Sequence, residues 1–499
     1  MSASSTRVLL LYPPSRSQNH YSCPMGMLML GAVLEKAGYE VRLVDANAMA
    51  KRLTVEQVVD IARQWQPDFI GITLVTPLVR EGYRLASALR PLGAKLLAGG
   101  PHATILPEEP LEHGFDAVVV GEGELTIVPA LEALSGRRPK ESVAGLVYCD
   151  AQSEVHRNPP PPLIEDLDSL PLPARHLVNA ADFGDTPDLH AHIFTSRGCP
   201  GRCAYCAGSL FGKKFRFRSA DAVVNEMIAL HRNYGTRHFY FVDDAMTMDR
   251  QRMRHICQRL IEEKLGFTWN MMTRIDAVNE ELLDLVSRAG CKQIDYGIES
   301  GNPATLKQIH KPHTVEMVRR VVPMTQRYGI QPVGFFIVGF PWEDPTAVDA
   351  TLGLMKELSP YIVFQPAIAS VLVPFPGTEI YERFEQQYGL DQWWLSDQRS
   401  YDAPSYETHP LYQVVMNRMG AVLDADFFHY SPAMKAKVHE FFRLMYASNF
   451  RRRGLAFRTL ALMALDVSRR LHQLSPRLER LVFRIPLAVR RRWTSRLPA

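Results

Sequence analysis

Short apolar runs alternate with amphipathic segments along the first 150 residues of the chain. The apolar runs predict strands at Arg7–Tyr12, Tyr39–Val44, Phe69–Leu74, Lys95–Ala98 and Asp116–Val120. The segments between them predict helices at Pro24–Gly38, Thr54–Trp65 and Leu78–Leu92. Apolar strands that alternate with helices are typical of a doubly wound parallel sheet, which binds ligands at the carboxyl ends of its strands. We therefore predict an α/β, doubly wound (Rossmann-like) domain over residues 1–150.

A second alternation of strands and helices begins near residue 191. The predicted strands are His192–Thr195, His238–Val242, Thr268–Thr273, Gln293–Ile298, Val333–Val338 and Ile362–Ser370. Helices predicted between them include Asp221–Tyr234, Arg250–Glu263, Asn279–Ala289 and Val315–Gly329. This pattern indicates an open, partial (β/α)6 barrel over residues 191–385, with its chemistry on the loops after the strands. A Pro-rich linker, residues 151–190, precedes the barrel, and a mainly helical region, residues 386–499, follows it with a predicted helix at Pro432–Arg453.

The composition limits the possible classes of protein. Of the 499 residues, 46% are hydrophobic and 22% are charged, which is ordinary for a globular protein and argues against wholesale disorder. The sequence contains no uninterrupted run of about 18 apolar residues, so we expect no membrane-spanning helix. The N-terminal apolar run is too short for a secretory signal, so we expect a cytoplasmic protein.

The net charge of +4 conceals an Arg-rich tail. Residues 449–499 contain thirteen Arg, no Lys and two acidic residues, so the tail carries +11 and the rest of the chain −7. This balance gives no reason to expect nucleic-acid binding by the body of the protein. For the tail we expect either a solvated helical face or peripheral contact with an anionic membrane.

Three of the seven cysteines, Cys199, Cys203 and Cys206, directly follow the first predicted barrel strand. A disulfide framework is not expected in a cytoplasmic protein of this size. Closely spaced thiolates can hold an iron–sulfur cluster, whereas structural zinc usually takes four ligands and no second Cys pair is present. The spacing favours a cluster with one iron open to an exogenous ligand, and a zinc site or redox thiols are the alternatives.

The Cys-x3-Cys-x2-Cys spacing, with Tyr205 before the last cysteine, resembles the radical S-adenosylmethionine (SAM) superfamily. The resemblance implies that Cys199, Cys203 and Cys206 hold a [4Fe–4S] cluster, whose open iron binds SAM and whose reduced form cleaves SAM to a 5′-deoxyadenosyl radical. The implied SAM-binding residues follow the barrel strands: Tyr205, Asp243, Asp244, Arg274, Glu299, Ser300 and Gly339. An external electron donor of the flavodoxin or ferredoxin type and sensitivity to oxygen are also implied.

The N-terminal domain resembles that of the cobalamin-binding class of the same superfamily. The resemblance rests on the segment from Pro24 to Gly38, on Gly99-Gly-Pro-His-Ala103 and on Val120-Gly-Glu-Gly-Glu124. The implied cobalamin-binding residues are Pro14, Gly26, Asp45, Thr73, Gly99, Gly100, Pro101, His102, Gly121, Glu122 and Gly123, most of them at predicted strand ends and with Gly99–His102 as a tight loop. The Asp-x-His-x-x-Gly motif that gives cobalt a His ligand in many cobalamin proteins is absent, so we expect no protein His on cobalt. The alternative is a domain of this fold that binds nothing.

The combined resemblance implies cobalamin-dependent methylation of an unactivated carbon in a small or lipid-like substrate. One SAM molecule would supply the methyl group through cobalamin and a second the radical, with the substrate held between the two cofactors at the interface of the two domains. The enzymatic alternatives are a cobalamin-dependent cyclase or a tailoring enzyme of the tetrapyrrole or hopanoid type. A cobalamin or redox sensor with a structural cluster is a further alternative, but such a protein needs no acidic and Gly motifs on successive strand ends. No catalytic side chain is assigned.

Overall fold

The structure, a computed structural model, describes residues 6–15, 24–48, 50–184, 189–208, 212–365, 370–396 and 426–449. These residues form two compact units. The first comprises the described residues up to 201, with 207–269 and 375–377. The second comprises 202–206, 270–374 and the described residues from 378 onward. The boundary therefore falls within the region predicted as a barrel.

A seven-stranded sheet organises the N-terminal part of the first unit. In the order β2-β1-β3-β4-β5-β6-β7, it contains β1 (Arg7–Tyr12), β2 (Glu40–Asp45), β3 (Phe69–Thr73), β4 (Lys95–Gly99), β5 (Ala117–Val119), β6 (Leu146–Cys149) and β7 (Val155–Arg157). β1 to β5 are parallel, which confirms the predicted doubly wound sheet. β6 and β7 add an antiparallel hairpin at the edge that was not predicted, and β7 lies within the predicted linker. The three residues of β7 are largely exposed and carry no apolar alternation that would reveal a strand.

Helices join the parallel strands of this sheet. They are α1 (Met25–Lys36), α2 (Val55–Trp65), α3 (Val79–Leu89), α4 (Pro101–Ile105), α5 (Glu109–Glu112) and α6 (Ile127–Leu134), and α7 (Ala180–Phe183) follows in the linker. α2 begins where predicted, because Thr54 accepts a hydrogen bond from Gln57 N and the Gln57 side chain accepts one from Thr54 N. The predicted loop Gly99–His102 is wrong in its second half, because Pro101 occupies the first turn of α4.

The first unit continues into the barrel-type region. It contains β8 (His192–Ile193), β9 (Ser196–Arg197), β10 (Arg216–Phe217), α8 (Ala220–Tyr234), β11 (His238–Phe241), α9 (Arg250–Glu262) and the first residues of β12 (Thr268–Thr273). β8 and β11 are parallel neighbours. The predicted strand His192–Thr195 ends early, because the chain leaves β8 to form an antiparallel hairpin of β9 with β10. This hairpin flanks the cysteine segment.

The second unit continues the alternation of strands and helices. Its parallel neighbours are β13 (Cys291–Glu299), β14 (Gln331–Phe336) and β15 (Val363–Phe364), and its helices here are α10 (Glu280–Arg288), α11 (Pro303–Gln308), α12 (Val315–Arg327) and α13 (Pro345–Leu358). β12 has the predicted bounds. The predicted strand Ile362–Ser370 is observed only as β15, and residues 366–369 lie outside the described residues. The predicted β/α repeat is thereby confirmed.

Two further helices, α14 (Glu379–Tyr388) and α15 (Pro432–Asn449), belong to the second unit. The Asn449 side chain accepts a hydrogen bond from Phe364 N (3.0 Å) and donates one to Phe364 O (2.6 Å), which fastens α15 to β15. The predicted helix Pro432–Arg453 is described as far as Asn449, and the Arg-rich tail from residue 450 lies outside the described residues. None of the helices described here is both long and apolar enough to cross a membrane.

Candidate cofactor sites

The three clustered cysteines lie on the segment between β9 and β10. Gly198, which precedes them, has a φ of +83°, and a Cβ at this position would lie 2.3 Å from Lys214 O, so only glycine fits. Cys199, Cys203 and Cys206 form no disulfide with one another, and Cys206 is exposed. Cys206 N donates to Cys203 O (3.0 Å), which holds these two residues in one turn. Cys199 belongs to the first unit, and Cys203 and Cys206 to the second.

Polar side chains of the second unit fix the turn that carries Cys203 and Cys206. The Tyr205 hydroxyl donates to Glu299 Oε1 (2.8 Å), and Lys311 Nζ lies 3.0 Å from the same oxygen. Ala204 N donates to Ile309 O (3.2 Å). Burial raises the pKa of Tyr205 well above its usual value, and the charge of Glu299 adds to this effect. The structure thus brings together Tyr205 and Glu299, both predicted, with Lys311, which no sequence motif marks.

The end of β13 has an unusual backbone that aims the Glu299 side chain. Glu299 has a φ of +65°, and the register with β14 shifts between Gly297 and Glu299. A Cβ at Gly297 would lie 2.4 Å from Glu299 Oε1, so glycine lets the carboxylate fold back over the strand. The neighbouring Ser300 is fully buried, and its hydroxyl lies 3.1 Å from the Thr351 hydroxyl on α13. Its side chain therefore fastens the strand end to a helix.

Asp243 and Asp244, both predicted to bind SAM, have different surroundings after β11. The Asp243 carboxylate is buried and accepts hydrogen bonds from Thr195 N (2.6 Å), the Thr195 hydroxyl and Ser196 N (3.1 Å). Burial raises the pKa of Asp243, against these hydrogen bonds. Asp244 is exposed. Asp243 thus holds the chain between β8 and β9, and Asp244 is the carboxylate that remains open to a ligand.

Arg274, the predicted SAM residue after β12, forms a bidentate ion pair. Its Nε and Nη2 lie 3.0 Å and 2.7 Å from the two carboxylate oxygens of Asp276. Burial opposes ionisation of Asp276, but the hydrogen bonds and charge of Arg274 outweigh it and lower the pKa of this carboxyl. A SAM carboxylate bound by Arg274 would therefore share the guanidinium with Asp276.

Gly339, after β14, lies in a turn held from both sides. Its φ is +84°, and its carbonyl accepts a hydrogen bond from the Tyr430 hydroxyl (2.5 Å). Glu343 accepts hydrogen bonds from Gly339 N (2.9 Å) and Phe340 N (3.2 Å). Burial raises the pKa of Glu343 to about 7. Glu343 and Tyr430 were not predicted, and the distance along the chain hides the second of them from sequence analysis.

The carboxyl edge of the seven-stranded sheet presents the predicted residues Pro14, Asp45, Thr73, Gly99, Gly100 and Pro101. Buried Asn47 joins two of these strand ends, since its side chain accepts from Ser15 N (2.6 Å) and donates to Pro13 O (2.8 Å), while Asp45 accepts from Asn47 N (2.8 Å). Gly100 has a φ of +92°, and a Cβ there would lie 2.6 Å from Thr73 Oγ1. Glycine is therefore required for the turn from β4 into α4.

His102 is fully buried beneath this edge. Its Nδ1 lies 3.1 Å from the Thr76 hydroxyl and its Nε2 lies 3.1 Å from Glu109 Oε1, which also accepts from the Tyr83 hydroxyl (2.7 Å). Both ring nitrogens are thus occupied within the domain. The predicted contribution of His102 to cobalamin binding would have to come from supporting the Gly99–Pro101 backbone.

Two acidic residues of the Val-Gly-Glu-Gly-Glu motif hold the hairpin that flanks the cysteines. Glu122 forms a buried bidentate pair with Arg216 on β10, with N–O distances of 2.9 Å and 2.6 Å. Burial opposes the charge of Glu122, but the Arg216 and Ile164 hydrogen bonds lower its pKa. Glu124 pairs with Arg197 on β9 (2.5 Å). The Glu122 side chain joins the sheet edge to the hairpin, and its contact with cobalamin stays a prediction.

Two of the three implied cofactors have donor groups that fit them in this structure. Cysteine thiols suit an iron–sulfur cluster, and the largely buried Lys311 ammonium supplies positive charge beside Cys203 and Cys206. The exposed Asp244 carboxylate suits the amino group of SAM.

The sheet edge also fits the third cofactor, cobalamin. A Cβ at Gly26, on the exposed start of α1, would meet no atom within 4 Å, and one at Gly99 would meet nothing closer than 3.9 Å. With Gly121 and Gly123 on the next loop, this edge exposes backbone rather than bulky side chains. Such a surface can accept a large flat ring.

Comparisons with known proteins identify the family of the chain. Residues 193–355 match the family model of the radical SAM superfamily, and residues 19–131 match that of the B12 binding domain. The chain is 32% identical over 386 residues to an uncharacterized methyltransferase of Pyrococcus horikoshii, covering 75% of this chain and 82% of that protein. It is 26% identical over 392 residues to the anaerobic magnesium-protoporphyrin IX monomethyl ester cyclase of Rubrivivax gelatinosus, covering 75% of this chain and 69% of that protein.

A solved structure shows the same fold. The radical SAM methyltransferase TsrM from Kitasatospora setae, with cobalamin and a [4Fe–4S] cluster bound, superposes with a TM-score of 0.64 at 20% identity, covering 77% of this chain and 78% of that one. The two family models, the relative from Pyrococcus and this fold all agree with the resemblance read from the sequence. The chain belongs to the family of cobalamin-binding radical SAM methyltransferases, and its cofactors are a [4Fe–4S] cluster, SAM and cobalamin.

Proposed function

We propose that this enzyme methylates an unactivated carbon of a small, partly apolar substrate bound beside the carboxyl edge of the seven-stranded sheet. Cys199, Cys203 and Cys206 are the proposed cluster ligands, and Asp244, Arg274, Glu299 and the Gly339 turn the proposed SAM contacts. The sheet edge from Pro14 to Gly123 is the proposed cobalamin surface. When bound, the cluster supplies the electron that cleaves SAM, and cobalamin carries the methyl group.

One observation within the first unit carries this proposal. The Glu122–Arg216 and Glu124–Arg197 ion pairs join the edge of the cobalamin-type sheet to the hairpin that flanks the cysteines. The side chains of Glu122 and Arg216 are only 2% and 1% exposed, so the linkage is shielded from water. A substrate that must lose a hydrogen atom to the radical formed at one cofactor and gain a methyl group from the other needs both held at fixed positions. Within the first unit, these ion pairs fix the sheet edge to the hairpin, whose first strand precedes Cys199.

A cleft next to this linkage supports an apolar part of the substrate. Its apolar lining comes from Met25 and Met29 on α1, Phe194, and Leu170 and Leu172 in the linker, and Leu172 is 51% exposed. Arg197, Arg218 and Glu226 give it a polar side. Glu226 pairs with both Arg218 and Arg175, and Arg197 pairs with Glu124, so each charged group of the cleft has a partner of opposite charge. This chemistry favours a largely uncharged group.

Within the proposed site, side chains of the protein hold the binding segments in position. Asp243 holds the chain that leads from β8 to the cysteine segment, and Tyr205 ties the cysteine turn to Glu299. Glu343 and Tyr430 hold the Gly339 turn through its backbone N–H and its carbonyl. None of these side chains needs to exchange a proton with the substrate. The proposal therefore assigns no acid or base.

The relative from Rubrivivax supports a second candidate, a cobalamin-dependent cyclisation. Both reactions need an external one-electron donor, which we propose to be a flavodoxin or ferredoxin. Only methylation consumes the methyl group of SAM. The products of SAM therefore distinguish the two functions.

The proposed function is tested on protein reconstituted without oxygen with iron, sulfide and hydroxocobalamin, then reduced in the presence of SAM. We expect both 5′-deoxyadenosine and S-adenosylhomocysteine, the second reporting loss of the methyl group from SAM. Cys203→Ala should abolish 5′-deoxyadenosine but leave cobalamin binding nearly intact. Cys149→Ala, a half-buried cysteine on β6, is the matched control and should form both products. Formation of 5′-deoxyadenosine alone would favour cyclisation. The absence of both products would refute both functions.

Membrane contact by the Arg-rich tail remains a proposal. The tail lies outside the described residues, and its basic and apolar composition supports contact with anionic lipid. A flotation assay compares the full chain with a truncation to residues 1–448. Equal binding of both proteins to anionic vesicles would refute membrane contact by the tail.

A further inference from the structure

Lys311 is an almost buried cation that the proposed function does not use. Its side chain is 11% exposed. Its ammonium lies 3.0 Å from Glu299 Oε1, donates to Gly297 O (3.3 Å) and lies 5.7 Å from the centre of the Tyr205 ring. Burying an ammonium group is unfavourable unless it is paired and hydrogen-bonded. The surroundings of Lys311 meet that requirement and place it beside the cysteine turn.

The backbone around Lys311 is shaped to bring it there. His310, directly before it, has a φ of +58°, and Glu299, its partner, has a φ of +65°. Both are non-glycine residues in the left-handed region, which is uncommon and costs conformational energy. The residue before His310, Ile309, accepts the hydrogen bond from Ala204 N. One short segment therefore anchors the cysteine turn through its backbone and delivers a positive charge to it through its side chain.

Three acidic groups lie near Lys311, and the basic His313 lies beside it as well. Glu299 carries a carboxylate, and Cys203 and Cys206 carry thiolates when they bind metal. Burial opposes the charge of Lys311, but Glu299, Cys203 and Cys206 outweigh it, and the pKa of the ammonium is raised. These acidic neighbours therefore favour the charged form of Lys311. It offsets negative charge beside this turn.

We propose that Lys311 is a positioning and charge-balancing residue that fixes the Glu299 carboxylate and raises the reduction potential of the cluster. The inference rests on the proposed role of Cys203 and Cys206 as cluster ligands. Reduction adds one electron from an external reductant to the oxidised cluster, with no bond formed or broken, and makes the cluster more negative by one charge. A fixed cation nearby favours the reduced form, whereas Glu299 without its partner would disfavour it.

The test is a redox titration with dithionite, followed by electron paramagnetic resonance of the reconstituted holoenzyme. Wild type is compared with Lys311→Met, Lys311→Arg and Lys307→Met, and the last removes an exposed cation from α11 of the same region. At a fixed potential we expect Lys311→Met to lower the ratio of reduced to oxidised cluster about tenfold, which for one electron is about 59 mV. Lys311→Arg should stay within about threefold of wild type, and Lys307→Met should be unchanged. Glu299→Gln should shift the ratio in the opposite direction.

Iron and sulfide counts separate failure of this inference from failure of the proposed function. Wild-type protein that binds no cluster would refute the proposed function and the inference with it. A Lys311→Met protein that binds a full cluster with the wild-type ratio would refute the inference alone and leave Lys311 with a purely structural role. If Lys311→Met binds no cluster, the double substitution with Glu299→Gln is titrated against Glu299→Gln alone. An equal ratio in these two proteins would also refute the inference.

Discussion

At the scale of single residues, the adjacent carboxylates Asp243 and Asp244 have different expected roles. Asp243 is expected to stabilise the fold and Asp244 to bind SAM. Asp243→Asn weakens buried hydrogen bonds to Thr195 and Ser196 and should lower the free energy of unfolding by about 1–3 kcal/mol. Asp244→Asn alters an exposed group and should change stability by less than about 0.5 kcal/mol. It should weaken SAM binding about tenfold, because a charge-assisted hydrogen bond is lost. Urea unfolding and equilibrium dialysis with SAM measure the two effects, and unchanged SAM affinity in Asp244→Asn would contradict its assignment.

The ion pairs of the hairpin allow a second residue-scale prediction. Arg216→Met leaves the Glu122 carboxylate buried without its main partner and should destabilise the protein by about 3–5 kcal/mol. Lys214, in the segment between β9 and β10, forms an exposed ion pair with Glu165 in the linker. Lys214→Met removes this pair and should lower the free energy of unfolding by less than about 1 kcal/mol. Thermal unfolding of the cofactor-free proteins compares them. Equal stability of the two variants would mean that the hairpin is not held by Glu122.

At the scale of elements, two helical glycines distinguish folding from cofactor binding. Gly26 on α1 and Gly353 on α13 are both exposed, and a Cβ at either would meet no atom within 4 Å. Replacing either with Ala should stabilise the cofactor-free protein by up to about 1 kcal/mol through helix propensity. Only Gly26→Ala should lower the cobalamin retained after desalting, because its Cβ would fill the surface proposed for the corrin. Full retention in Gly26→Ala would remove α1 from the cobalamin surface.

Elements with strong local signals were predictable from the sequence. β12 has the predicted bounds, and α2 begins at the predicted residue because Thr54 and Gln57 cap it reciprocally. The hairpins β6–β7 and β9–β10 were missed, since strands of two to four residues owe their existence to pairing with a partner. Pro101 was placed in a loop although it begins α4, because a proline ends one helix as readily as it begins another.

At the scale of the whole molecule, the family and the position of the cysteine segment followed from motifs, but the partners of the site residues did not. Glu122 was assigned to cobalamin from its motif, and its partner Arg216 lies 94 residues away. Tyr430 lies 91 residues from Gly339. Lys311, which pairs with Glu299, follows His310, whose backbone is left-handed. The amino-acid composition does not predict that conformation. Contacts between residues so far apart in the sequence form only in the folded protein and cannot be predicted from the spacing of residues within motifs.

This chain combines a [4Fe–4S] cluster with cobalamin. To test this combination, the protein is reconstituted without oxygen with iron, sulfide and hydroxocobalamin, desalted, and analysed for all three per chain. We expect about one cobalamin together with about four iron and four sulfide. A full cluster without cobalamin would contradict it, because the seven-stranded sheet would then be a scaffold and the methyl group would have no carrier.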